Sequence, residues 1–189
     1  MEEIVTDELL AKIDKEYLNF LYDSVISYTY LTLGLIDRAH SIIDKVLQED
    51  PNDWVAMMSK GYIYLKERRP DLAQKQFENA SQISLDNPLV LMNLGLAYAQ
   101  QSDHQNALKI LSKAVKLDDR NFLIWYQKGL AHFHNKEYLD CIYCSCRSIE
   151  LKKNFSEAWY NKALSFARLN ILDEAKDICK NALISFPQR

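Results

Sequence analysis

The groups in this sequence that could carry chemistry are concentrated between His132 and Cys146: His132, His134, Cys141, Cys144 and Cys146, with Cys179 further on. Thiolates and imidazoles are zinc ligands, but a structural zinc site wants four of them converging, usually with the Cys pairs on turns. Cys141 and Cys144 are three apart and can share a helical face, whereas Cys146 turns away from it at about 100° per residue. Free Cys also serves as a small hydrophobe. Packing therefore outweighs a metal reading, and no metal is expected. His40 and His104 stand alone, and there is neither a nucleophile with a base beside it nor a Gly-rich phosphate loop. No catalytic residue and no cofactor are expected.

The elements that carry these residues repeat. Gly61, Gly95 and Gly129 are 34 residues apart, and Ala39, Ala73, Ala107, Cys141 and Ala175 keep the same interval. So do the rings Tyr30, Tyr64, Tyr98, His132 and Phe166, and the series Val46, Ala80, Ala114, Ser148, Ala182. A fixed period of this length is the mark of a repeat array. Within a unit the Gly and the ring are three apart and share a helical face. Nine further residues leave that helix, turn, and enter a second one. A small residue lets two helix backbones approach, and the ring fills the space beside it. Cys141 and His132 thus occupy positions defined by packing. Breakers fall where turns are needed, at Leu33-Gly34, Glu67-Arg68-Arg69-Pro70, Gln101-Ser102-Asp103 and Asn135-Lys136. Pro51 and Pro88 separate one hairpin from the next, because the residue before proline disfavours helix.

These residues resemble the tetratricopeptide repeat, whose pattern is Trp-x-x-Leu-Gly-x-x-Tyr followed by Ala, Phe, Ala and Pro. Leu94-Gly95 with Tyr98, Trp125 with Gly129, and Tyr64, Ala73, Phe77 and Ala80 carry the likeness. The resemblance implies an all-α, right-handed superhelical solenoid of antiparallel helix hairpins. Five units are expected, at 20–53, 54–87, 88–121, 122–155 and 156–189, behind an N-terminal capping helix in 1–19. Thr6 or Asp7 can cap that helix, and Val5, Leu9, Leu10 and Ile13 give it an apolar side. Ser27 and Ala163 replace the Gly, and Cys141, Ser145 and Ser148 make the second helix of unit four a looser packer. Unit five ends with the sequence, which leaves its outer edge for a partner, a second copy or the rest of a longer chain.

Composition narrows the function. Hydrophobic residues make up 48% and charged ones 26%, a globular balance, with only four Gly and four Pro. The net charge of -3 and the absence of a basic stripe argue against nucleic acid. No stretch is apolar enough to enter a membrane, and Met-Glu-Glu-Ile-Val is no signal sequence. Cysteines clustered as thiols fit a reducing compartment, so the cytoplasm is expected.

In the resembled family the first helices line a concave groove, and this sequence puts apolar residues there. They are Leu21, Tyr28, Val55, Met58, Tyr62, Leu89, Met92, Leu96, Leu123, Tyr126, Leu130, Phe133 and Tyr160. An exposed apolar face marks an interaction surface. Met repacks, and Tyr buries a ring while keeping its hydroxyl wet. Beside this stripe Asn93, Gln127 and Asn161 form a ladder of amides suited to a peptide backbone. The bland alternative is that these side chains only fill the inner curve. The family's clamp for a C-terminal carboxylate is missing, since Ser24/Tyr28, Met58/Tyr62 and Met92/Leu96 stand where it needs Lys and Asn. The expected function is a protein-interaction adaptor that holds an apolar or amphipathic segment. The alternative is a structural scaffold that self-associates through its C-terminal edge.

Overall fold

The structure, a computed structural model, describes residues 33–185. The expected N-terminal helix, the first helix of unit one, and Leu21 and Tyr28 lie outside the described residues. Among those described there are nine α-helices and no strand: α1 (Ile36–Glu49), α2 (Trp54–Lys66), α3 (Pro70–Ile83), α4 (Pro88–Gln100), α5 (His104–Leu117), α6 (Phe122–His134), α7 (Tyr138–Leu151), α8 (Ser156–Arg168) and α9 (Leu172–Ser185). Helices expected to start near 54, 88, 122 and 156 begin at Trp54, Pro88, Phe122 and Ser156. The chain divides into two compact units, Met1–Ile83 and Ser84–Arg189.

Caps explain the starts. Asp53 accepts hydrogen bonds from the Val55 and Ala56 amides at 2.8 and 3.0 Å, and Asn87 accepts from Leu89 at 3.0 Å. Asn121 accepts from Leu123 at 3.0 Å. Each satisfies N–H groups that a first turn leaves unpaired. The same position before α8 is Phe155, which makes no side-chain cap and packs its ring against Phe122 and Tyr126, both at 5.0 Å.

Each hairpin turns on one left-handed residue. Gly34, Arg68, Ser102, Lys136 and Asn170 have φ of 72°, 60°, 63°, 64° and 62°. The amide after each of the last four bonds back to the ring residue's carbonyl, as Asp103 does to Tyr98 and Glu137 to His132, at 3.0 and 2.9 Å. That is a Schellman closure, which glycine or asparagine usually makes. Here Arg, Ser and Lys accept the strain, so the sequence marks these segments as turns without marking which residue is left-handed.

Within Met1–Ile83, Ala39, Ile43, Ala56 and Ile63 form a buried cluster between α1 and α2, and Gly61 lies against Phe77 of α3. A Cβ on Gly61 would sit 2.4 Å from that ring. Within Ser84–Arg189, α4 pairs with α5, α6 with α7 and α8 with α9, while α4 also packs on α6 and α6 on α8. Its core gathers Leu91, Met92, Ala107, Leu111, Ala114, Ile124 and Ala131. Ala107 is fully buried, but Tyr98, expected to be fully buried beside it, keeps part of its surface. The ring stands in the last turn of α4, where the helix end leaves one side uncovered.

Candidate functional site

In Ser84–Arg189 the first helices α4, α6 and α8 stand side by side. Leu96 and Ala99 of α4 and Leu130 of α6 line a cavity of about 220 Å³, with Gln100, Gln127 and His134 around it. Its floor is Leu111 of α5, which packs against Gly95, where a Cβ would meet it at 2.6 Å. Three expected residues, Leu96, Gln127 and Leu130, therefore share one cavity. Sequence reasoning missed Gln100, His134 and Leu111. The first two are 34 apart and could have been found by register. Leu111, on a second helix, reaches the site through the missing Gly95 side chain.

Other expected residues flank the cavity or leave it. Leu89, Leu123 and Tyr160 are exposed, Tyr160 at 66%. Tyr126 is half-buried against Phe155, and burial, helped by the nearby Glu157 charge, raises its hydroxyl above the ordinary tyrosine value. Phe133 turns toward the start of α7, with its ring 5.5 Å from that of Tyr138. In Met1–Ile83, Val55 is half-buried and Tyr62 is exposed, its ring edge-on to Phe77 at 5.9 Å.

Four residues depart from the open groove expected for them. Met58 and Met92 are 8% exposed, Asn93 2% and Asn161 5%. Met92 belongs to the core between α4 and α6, and the Asn93 amide donates to the Leu89 carbonyl of its own helix at 2.8 Å. At these four places neighbouring helices come too close for the side chain to remain on a surface. The amide ladder thus faces helix packing at Asn93 and Asn161, and only Gln127 reaches the cavity wall.

His134 stacks on His104 with centroids 5.6 Å apart and planes at 16°. Burial, with a smaller push from His104, lowers the His134 pKa below its ordinary value. The cysteines are free thiols; Cys141 and Cys144 are buried, and Cys179 is exposed. Burial pushes the Cys144 thiol up to about 12 and raises Cys141 as well, so neither forms a ready thiolate.

A chain of α-hairpins joined by left-handed turns, with small residues at each crossing, defines a helical-repeat protein. Residues 60–122 and 92–140 match the tetratricopeptide-repeat family model. Over that stretch, 60–140, the repeats are of the tetratricopeptide type. No curated protein sequence matches it. Among solved structures it is similar to MamA, at 24% identity over 85% of this chain and 94% of that one, with a TM-score of 0.74. It is similar to PilF of Pseudomonas aeruginosa at 19% identity, over 89% and 77% of the two chains, with a TM-score of 0.77. YrrB, described as a TPR protein with an unusual peptide-binding site, aligns at 19% identity over 88% and 86%, with a TM-score of 0.67. At such identities the likeness establishes the fold.

Proposed function

We propose that the chain is a protein-interaction module, and that the α4–α6 face holds an apolar or amphipathic segment of another protein. The observation that carries this is the cavity of Leu96, Ala99, Leu111 and Leu130, with Leu89 and Leu123 exposed nearby. α4 contains no charged residue at all, and the one Lys of α6, Lys128, lies over the Trp125 ring at 5.8 Å. Such a face gains by covering apolar surface, at about 25 cal/mol per Å² removed from water. Peptide recognition in YrrB supports the reading by analogy of fold alone. No helix among the described residues is long and apolar enough to cross a membrane.

Capture of partners from the native cell tests this when wild type is compared with Leu130→Asp. A partner held by wild type and lost by the variant supports the site. Equal capture by a folded Leu130→Asp variant contradicts it. A scaffold reading draws on α9, where Leu172, Leu183 and Ile184 are 53%, 71% and 82% exposed. Sedimentation at two concentrations separates the two: self-association removed by Leu183→Asp favours the scaffold.

A further inference from the structure

The helix turn 134–138 brings together three side chains of metal-ligating type. His132 at the end of α6, Glu137 at the N-cap of α7 and Asp140 in its first turn each offer a ligand atom, all within 4.8 Å of one another. We propose that these three residues bind a divalent transition-metal ion of the zinc type.

Glu137 occupies a cap position but makes no side-chain cap. Asp103, at the same place before α5, accepts from the Asn106 amide at 3.2 Å. The Glu137 carboxylate is instead held sideways: the Asn135 amide donates to its Oε1 at 2.7 Å, while Oε2 faces His132 Nδ1 at 2.6 Å. Among the described residues Asp140 has no cation partner and accepts no hydrogen bond, and its charge reaches the Cys144 thiol. Two carboxylates therefore meet one imidazole, which can neutralise at most one of them. A divalent cation neutralises both.

The register sharpens the point. The matching residues are Tyr64, Arg69 and Leu72; Tyr98, Asp103 and Asn106; and Phe166, Ile171 and Glu174. The repeat in which the ring becomes an imidazole is thus also the one that places two carboxylates beside it. One nitrogen and two oxygens suit zinc or cobalt, whereas magnesium and calcium prefer all-oxygen sets. Around a tetrahedral zinc the ligand atoms stand about 3.3 Å apart, which small side-chain rotations reach from this arrangement. His132 is the ring already held in place, its side chain 15% exposed, and Glu137 and Asp140 close on it from the turn. The expectation of no metal came from weighing the cysteines with His132 and His134 and reading His132 as a packing ring; of those residues only His132 belongs to this set.

The test is titration of the reduced full chain with Zn²⁺ by calorimetry and with Co²⁺ by visible absorption, in a Cys146→Ser, Cys179→Ser background. One ion per chain is expected, with a rise in Tm on saturation. His132→Phe, the ring that Phe166 supplies at this register, should fold and lose binding, and Asp140→Asn should weaken it at least tenfold. Asp140 is exposed, so its variant remains decisive if His132→Phe fails to fold. Absence of binding, binding only at millimolar metal, or an affinity unchanged by Asp140→Asn would overturn the site.

Discussion

The hairpins 88–117 and 122–151 share one register, yet they close on different atoms. In the first, Gly95 lets the branched Leu111 side chain fill the crossing, and a Cβ would land 2.6 Å from it. In the second, Ser145 replaces Leu111 in the register, and the nearest atom to a Cβ on Gly129 is the Cys144 Cβ at 3.1 Å. Polar groups complete that hairpin: Ser148 donates to the Phe122 carbonyl at 2.9 Å, and Ser145 approaches the Cys141 sulfur at 3.9 Å. One crossing is filled by hydrocarbon and the other by small side chains with their own hydrogen bonds. A period preserves where helices cross and leaves open what fills the crossing.

The largest expected difference comes from Leu111→Ala against Ser145→Ala. Leu111 is fully buried and should cost about 2–5 kcal/mol. Ser145→Ala removes no hydrocarbon and should cost about 1 kcal/mol, the net value of an ordinary hydrogen bond. Denaturant unfolding of both variants checks this, and equal losses would break the comparison.

Alanine at the two glycines comes next. Gly95→Ala forces Leu111 aside and should cost about 1–3 kcal/mol. Gly129→Ala asks Cys144 to give a few tenths of an ångström, and the gain in helix propensity of about 1 kcal/mol should offset it. Thermal unfolding should show a clear loss in the first variant and little change in the second.

Much of this was legible in the sequence because the crossing residues are chemically distinctive. Gly61, Gly95, Gly129 and the Ala series fixed the interval, and Pro51 and Pro88 marked where one hairpin gives way to the next. The turns were legible as breakers between helices, but their left-handed residues were not, since Arg68, Ser102 and Lys136 say nothing of a positive φ until the neighbouring hydrogen bonds require it. The site was legible in part. Leu96, Gln127 and Leu130 could be placed by register, but the burial of Met92 and Asn93 depends on how closely α6 approaches, which no spacing along one helix reports.

The turns give a smaller effect and a control. Ser102→Gly and Lys136→Gly should each stabilise by about 1 kcal/mol, because a left-handed L-residue is strained by that order. The gain should be alike in both hairpins, since φ is 63° and 64°. Unequal gains would mean that the hairpins differ in their turns as well as in their crossings.

Smallest is the pH effect at His134. Its pKa is lowered in the folded state by burial and by His104, so the unfolded chain binds the proton more readily. The contribution to stability is complete above the unfolded value of about 6.5 and is lost as pH falls through that value toward the folded one. His134→Gln, the residue type of Gln100 in register, should flatten the fall in Tm between pH 7 and 5. A slope identical to wild type would remove His134 from the account.

The most direct test of an interaction face on α4 and α6 is the affinity of a peptide selected on wild type from a displayed library. Leu130→Ala and Leu123→Ala should each weaken binding by more than about 1 kcal/mol, roughly fivefold or more, with the helical circular dichroism unchanged. Added salt should change the affinity little, because screening acts on charges and this face carries few. An affinity that collapses with salt and ignores Leu130 and Leu123 would place the binding surface elsewhere on the chain.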